Sequence, residues 1–410
     1  QFRSDEFKMG LFSDLQAVFE RAIVLHDELG QPARAFDISE RSRARALLDA
    51  VAGRAELKGG TGAAMDAAQL QAMLAPDEVV AAYHTLPVRL GAWVLPRDGV
   101  REAKFPLALP RADLGRLVDA YRDALIKLNP KAAGIGDQIG QLLLAPLGVA
   151  SGKRLVIVPH GPLHYLPFQA LRLDGQYLIE RNPISIAPSI SIAARLAQRT
   201  PTAPADLLAF GNPTISPDVA DPLPGAEREV QALATQFPGA KLYFNAEANK
   251  TNFAAAAPKA RLVHVAAHAM ADTLDPLHSK VLLADEDGKP NYLEAKDVIG
   301  MDLGNVAMLA LSACESGLGR VDNGDEVLGF TRSFLSAGTS TLLASLWPVS
   351  DAATEKLMTT LYADLAKGVV VQDAMRDAQR AVMADPQTAH PFYWAPFNLI
   401  GNWRLTVGGQ

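Results

Sequence analysis

The chain has 410 residues, 49% of them hydrophobic and 20% charged, a composition that suits two or three packed domains and excludes disorder over most of its length. Its 39 basic and 45 acidic side chains give a net charge of −6, so direct nucleic-acid binding through a basic face is not expected. Apolar runs such as Val306–Leu311 fall far short of the ~18 residues that cross a bilayer, and no secretory signal is visible from Gln1, so a cytoplasmic protein is expected.

In chain order, the first 58 residues read as helical. Leu15, Val18, Phe19, Ala22, Leu25 and Leu29 recur at spacings of three and four and define an expected buried face, ended by Gly30 and Pro32. A second segment from Ala33 to Ala52 repeats the pattern, with Ala35, Ile38, Ala44, Ala46, Leu47 and Val51. The pair has about the 34-residue size of a tetratricopeptide unit and must pack on a neighbour to bury its face. Lys58 to Gly62 is a break, and 59–76 is read as a linker that includes a short helix over Ala63–Leu74. From Glu78 the texture becomes that of strands alternating with helices. Strands are expected at Val79–His84, Arg89–Leu95, Arg154–Val158, Leu207–Phe210, Lys241–Phe244, Leu262–Ala266, Ser279–Leu283, Asn305–Leu311 and Ser340–Trp347. Helices are expected at Ala112–Leu128, Ala226–Gln236, Lys250–Ala257, Asp325–Ala337, Asp351–Ala366 and Val371–Met383. This alternation argues for an α/β fold with a mostly parallel sheet, and two such halves in series, 77–205 and 206–410, for an internal duplication.

Catalytic groups of parallel sheets gather beyond the carboxyl ends of the strands. Two expected strands run into reactive residues, Leu262 onward to His268 and Val306 onward to Cys314. Cys314 is the single cysteine, which excludes a disulfide framework and leaves a buried small hydrophobe or a nucleophile. An imidazole beside it could take the thiol proton and later protonate a leaving amine, and the Glu315-Ser-Gly317 turn would offer main-chain N–H groups to an oxyanion.

The order of these residues resembles caspase-type cysteine peptidases, and more fully the CHAT family, the caspase-like domains associated with tetratricopeptide repeats and related to separase. The resemblance is carried by Val263-His-Val-Ala-Ala-His-Ala269, Asp275-Pro-Leu277, Leu311-Ser-Ala-Cys-Glu-Ser-Gly-Leu-Gly319, Gly324-Asp-Glu-Val-Leu-Gly-Phe330, Ala344-Ser-Leu-Trp-Pro-Val-Ser-Asp351 and His390-Pro-Phe-Tyr-Trp-Ala-Pro-Phe397. Upstream, Val158-Pro-His-Gly-Pro-Leu-His-Tyr-Leu-Pro-Phe168 and Leu223-Pro-Gly-Ala226 fit it too. The resemblance implies a caspase-like fold, a degenerate first half, and a cysteine endopeptidase with His268 as general acid/base, Cys314 as nucleophile, and the N–H groups of Cys314 and Ala269 holding the oxyanion. It implies a substrate pocket to which Asp351, Asp322 and Trp347 contribute, no metal and no cofactor. It also allows partners in bacterial defence, such as a protein or ribonucleoprotein activator bound by the N-terminal helices.

Each of these residues also has a plainer reading. His264 is expected as a buried structural histidine, since on a strand it would stand about 13 Å from His268. His160 and His164 are expected in a structural loop with no second thiol to serve. Asp351 could line a pocket for a basic side chain or simply open a helix, and Asp325 and Glu326 are explained by opening the preceding helix. The alternative to the peptidase is a non-catalytic scaffold whose N-terminal helices bind a partner.

Overall fold

The computed structural model describes residues 5–52, 64–105, 107–199, 202–204, 206–272, 275–312, 329–348 and 351–407; for 5–15 and 44–52 it describes the helical backbone alone. Cys314, Glu315, Asp322, Asp325 and Glu326 lie outside the described residues.

One 11-stranded sheet organises the chain. Its strands run in the order Arg101–Glu102, Leu90–Leu95, Glu78–Thr85, Arg154–Val158, Ile184–Ile186, Phe397–Gly401, Thr341–Ser345, Met308–Ser312, Leu262–Ala266, Leu207–Pro213, Lys241–Asn245. The strands from Glu78–Thr85 to Phe397–Gly401 are mutually parallel, and so are the five from Thr341–Ser345 to Lys241–Asn245. The two blocks meet at the antiparallel pair of Thr341–Ser345 and Phe397–Gly401. They therefore run in opposite senses, and their carboxyl ends lie at opposite edges of the sheet. Strands such as Met308–Ser312 and Thr341–Ser345 read as continuous apolar runs because helices cover both faces.

The helices Asp351–Ala366 and Val371–Met383 keep the bounds expected from sequence. Among the elements not expected are the helices Ala132–Leu143 and Ile190–Ala197 and the strands Ile184–Ile186 and Phe397–Gly401. The Ser279–Leu283 run does not join the main sheet. Its Lys280–Leu282 portion lies between His268–Met270 and Leu293–Glu294 in a separate three-stranded antiparallel sheet.

The helices Asp5–Glu28 and Pro32–Ala52 form an antiparallel-type pair turned at Gly30, whose φ of 66° suits glycine. The expected buried face of the first helix is wrong: Val18, Leu25 and Leu29 are exposed, and Ile23 and Asp27 point inward. The cause is polar. Asp27 accepts from Arg89 at 2.9 Å and from the Trp93 indole at 3.3 Å, and Glu20 pairs with Arg111, so charged groups set the rotation of the helix. On the second helix Ala35, Phe36, Ser39, Glu40 and Arg43 are buried. Ala35 and Phe36 join Val80, Ala82, Trp93, Val156 and Val158 in a second core on one face of the sheet. The short helix Ala67–Met73 in the expected linker packs there too, closed by a reciprocal Asp66–Gln69 capping box.

Candidate functional site

His268 stands at the carboxyl edge of the C-terminal parallel block. The Leu262–Ala266 strand ends before it, and after Ala267 the chain starts the short strand His268–Met270. The neighbouring strand is Met308–Ser312, in parallel register with Ala266 opposite Ser312. The loops following Pro213 and Ser345 leave from the same edge.

The His268 side chain is half-buried, and its Nε2 lies 2.8 Å from the main-chain oxygen of Asp221. A carbonyl only accepts, so Nε2 carries the proton and donates it there. The segment 221–225 is itself pinned. Asn212, at a φ of 48°, accepts the Leu223 N–H at 2.8 Å and donates to Glu227 at 3.2 Å. Gly225, in the first turn of the helix Pro224–Ala234, lies against Asp351, and a Cβ there would collide with the Asp351 carboxylate. Asp351 is exposed and opens the helix Asp351–Ala366. A single segment thus links His268 to Asp351. Ala269 is buried and pairs with Val281. Trp347 is wholly buried and donates its indole N–H to the Phe392 carbonyl at 3.0 Å.

Behind this edge is a buried polar chain. His264 Nε2 lies 2.9 Å from Glu229 Oε1, His264 Nδ1 lies 3.3 Å from the Tyr362 hydroxyl, and Ser312 Oγ donates to Glu229 Oε2 at 3.2 Å. Burial, then the Glu229 carboxylate, pushes the Tyr362 phenol far above its usual range. His264 is enclosed completely, in the core and away from His268. Sequence reasoning missed Asp221, Asn212 and Glu229. The proline-flanked Leu223–Ala226 motif was one available signal. The other was a lone acid, Glu229, beside Val230 and Leu233 on an apolar helix face.

His160, the other strand-end histidine, lies at the opposite edge of the sheet because the N-terminal block runs the other way. It is buried, and desolvation followed by neighbouring His84, Arg43, Arg111 and His164 holds its imidazole well below the usual pKa.

The expected cysteine endopeptidase is not what these residues assemble. His268 commits its Nε2 proton to a main-chain carbonyl, no thiol stands beside it among the described residues, and Cys314 lies outside them. Among the described residues no cluster of three or more His, Cys, Asp or Glu side chains forms. The Cys314–His268 dyad and the thiol-protease reading therefore give way to the scaffold alternative. No helix among the described residues is long and apolar enough to cross a membrane.

Comparison with known proteins agrees on the fold. The CHAT domain family model matches residues 134–402. Tetratricopeptide repeat protein 28 of Mus musculus is 26% identical over 322 residues, covering 64% of this chain and 13% of that protein. Its Homo sapiens counterpart is 27% identical over 318 residues, with the same coverage. The chain thus spans about an eighth of the length of these curated relatives. Among solved structures, the Saccharomyces cerevisiae separase–securin complex matches at a TM-score of 0.58 and 12% identity, covering 92% of this chain and 34% of the matched one. The mostly parallel α/β sheet is caspase-like in overall shape.

Proposed function

This chain belongs to the CHAT domain family, and we propose that it acts as a non-catalytic interaction scaffold, a caspase-like sheet that holds an N-terminal helical hairpin rigid for a protein partner. The observation that carries the reading is the two-sidedness of that hairpin. Its inner side is tied down by buried charged contacts, from Asp27 and Arg43 to the sheet and its strand ends and from Glu40 to the start of the helix Ile190–Ala197. Its outer side bears Val18, Leu25 and Leu29, spaced seven and four apart on one stripe and 62%, 53% and 58% exposed. Single exposed apolar residues are ordinary, but an aligned stripe on a rigid helix suits docking of another apolar helix face. The curated relatives are named for tetratricopeptide repeats, which supports reading 1–58 as such a unit.

The finer organisation belongs to the same proposal. Segment 59–76 connects the hairpin to two copies of one module, 77–205 and 206–410, a reading supported by the two parallel blocks of opposite sense, with Phe397–Gly401 crossing from the second copy into the first block. In this account His268 ties down the 221–225 segment, Ala269 anchors the side sheet, Asp351 seals against Gly225, and Trp347 fills the wall behind them.

The test is partner capture by the full chain and by a Val18→Asp/Leu25→Asp/Leu29→Asp variant. The variant is expected to keep its helical signal and melting midpoint and to lose a protein that the unmodified chain retains. Full retention by the variant would remove the hairpin from the account.

A further inference from the structure

The sheet edge opposite His268 contains a pair of stacked histidines. His84, within Glu78–Thr85, and His160, just beyond Arg154–Val158, have ring centroids 3.9 Å apart and planes inclined by 27°. Both are buried. Their partners fix their tautomers. The Thr85 N–H donates to His160 Nδ1 at 3.3 Å, and Thr85 Oγ1 lies 2.8 Å from the same atom. A nitrogen that accepts carries no proton, so the His160 proton is on Nε2. Gly161, at a φ of 55°, permits this approach, since a Cβ there would stand 2.6 Å from Thr85 Oγ1. Arg43 donates to Ser39 Oγ through Nε at 3.3 Å and Nη2 at 3.0 Å, which engages the hydroxyl lone pairs. The Ser39 hydrogen is then left for His84 Nδ1, 2.9 Å away, and the His84 proton is also on Nε2.

Both Nε2 atoms are buried and have no hydrogen-bond partner among the described residues. A second proton on either ring would enter at Nδ1, where it would oppose the Thr85 N–H or the Ser39 hydroxyl. The surrounding charges oppose it as well. Arg43 faces the stack from the second helix, Arg111 from the start of Arg111–Ile126, and His164 from the turn after His160. Carboxylates on the packed elements are engaged elsewhere. Glu20 pairs with Arg111, Asp27 with Arg89 at 2.9 Å, and Glu40 takes Ser189 and the Ser191 N–H at 2.8 Å.

The second helix closes over the stack. Besides Ser39, Arg43 reaches the strand-end carbonyls of Tyr83, Val158 and Pro159, the last at 2.8 Å. We propose that the His84–His160 stack is a proton-operated release for the N-terminal hairpin, which docks while both rings are neutral and lifts from the sheet edge when they charge.

The direction follows from linkage. Burial first, then Arg43 and Arg111, holds His84 well below its ordinary value of 6.5 while the hairpin is docked; His160 is held down by burial, then by His84, Arg43, Arg111 and His164. Once the hairpin lifts, the rings meet water and return toward about 6.5. Above that pH neither state takes up protons, and docking has its full strength. Below it the lifted state is protonated first, and docking weakens by up to about tenfold per pH unit for each histidine, about 100-fold for both.

The experiment is hydrogen exchange on the full chain at pH 7.5 and 5.5, corrected for intrinsic rates, comparing residues 32–43 with the helix Ala132–Leu143 as internal reference. Protection over 32–43 is expected to fall at least about tenfold more than in the reference. His84→Gln/His160→Gln should abolish that difference, and His160→Gln alone should halve it on a logarithmic scale if the double variant does not fold. Retained protection at pH 5.5, a parallel loss in both regions, or a selective loss that persists in the variants would each overturn the proposal. The readout needs no partner, so its outcome is separate from that of the scaffold reading.

Discussion

The two edges of the sheet begin from similar residues and end differently. At each, a buried parallel strand runs into a histidine, His160 in one case and His268 in the other. At the first edge the N-terminal hairpin fills the space, Arg43 caps the strand-end carbonyls, and the histidine is stacked out of reach of solvent. At the second edge His268 is half-buried and held by one main-chain carbonyl. The same kind of strand-end residue thus has two different surroundings in one sheet, and what packs beyond the strand decides its role.

Substitutions can break or sharpen this contrast. The largest effect is expected for Arg43→Ala. It leaves the carbonyls of Tyr83, Val158 and Pro159 and the Ser39 hydroxyl without a buried charged donor. A loss of about 3 kcal/mol in urea unfolding is expected, and a loss under about 1 kcal/mol would show that the first edge is not closed by this residue. Gly225→Ala comes next, at about 1–3 kcal/mol, because its methyl meets the Asp351 side chain at the second edge. Adding Asp351→Gly, which removes the Asp351 Cβ as well as its carboxylate, should recover most of that loss, and an equally unstable double variant would show that the collision is not its source. The smallest effect belongs to Val18→Ser and Leu29→Ser, each within about 0.5 kcal/mol, since both side chains face water. A larger loss in thermal melts would mean that the stripe is part of the core.

The sheet's strands were legible where apolar runs were long and bounded by turn residues, as in Arg154–Val158 and Leu262–Ala266. Ile184–Ile186 has three residues with a serine at its centre, too short for a periodic signal, and Phe397–Gly401 starts at the last residue of a motif dense in aromatic residues and proline. The first helix was misread because its inward face is fixed by Glu20 and Asp27, whose partners lie far away in sequence, and no local pattern reveals an acid that will meet Arg111 or Arg89. At the site, His268 was found from its position after a strand. Its actual partner, the Asp221 carbonyl, is a main-chain atom with no residue signature. The endopeptidase expectation rested on family motifs around Cys314, and motifs specify a fold more securely than they specify what the fold does.

The most direct test of the central claim is the affinity and integrity of a protein partner captured through the hairpin, measured with the unmodified chain and with His268→Ala/Cys314→Ala. The account predicts the same affinity for both and a partner of full length after incubation with either. A partner cut by the unmodified chain and left whole by the double variant would contradict it.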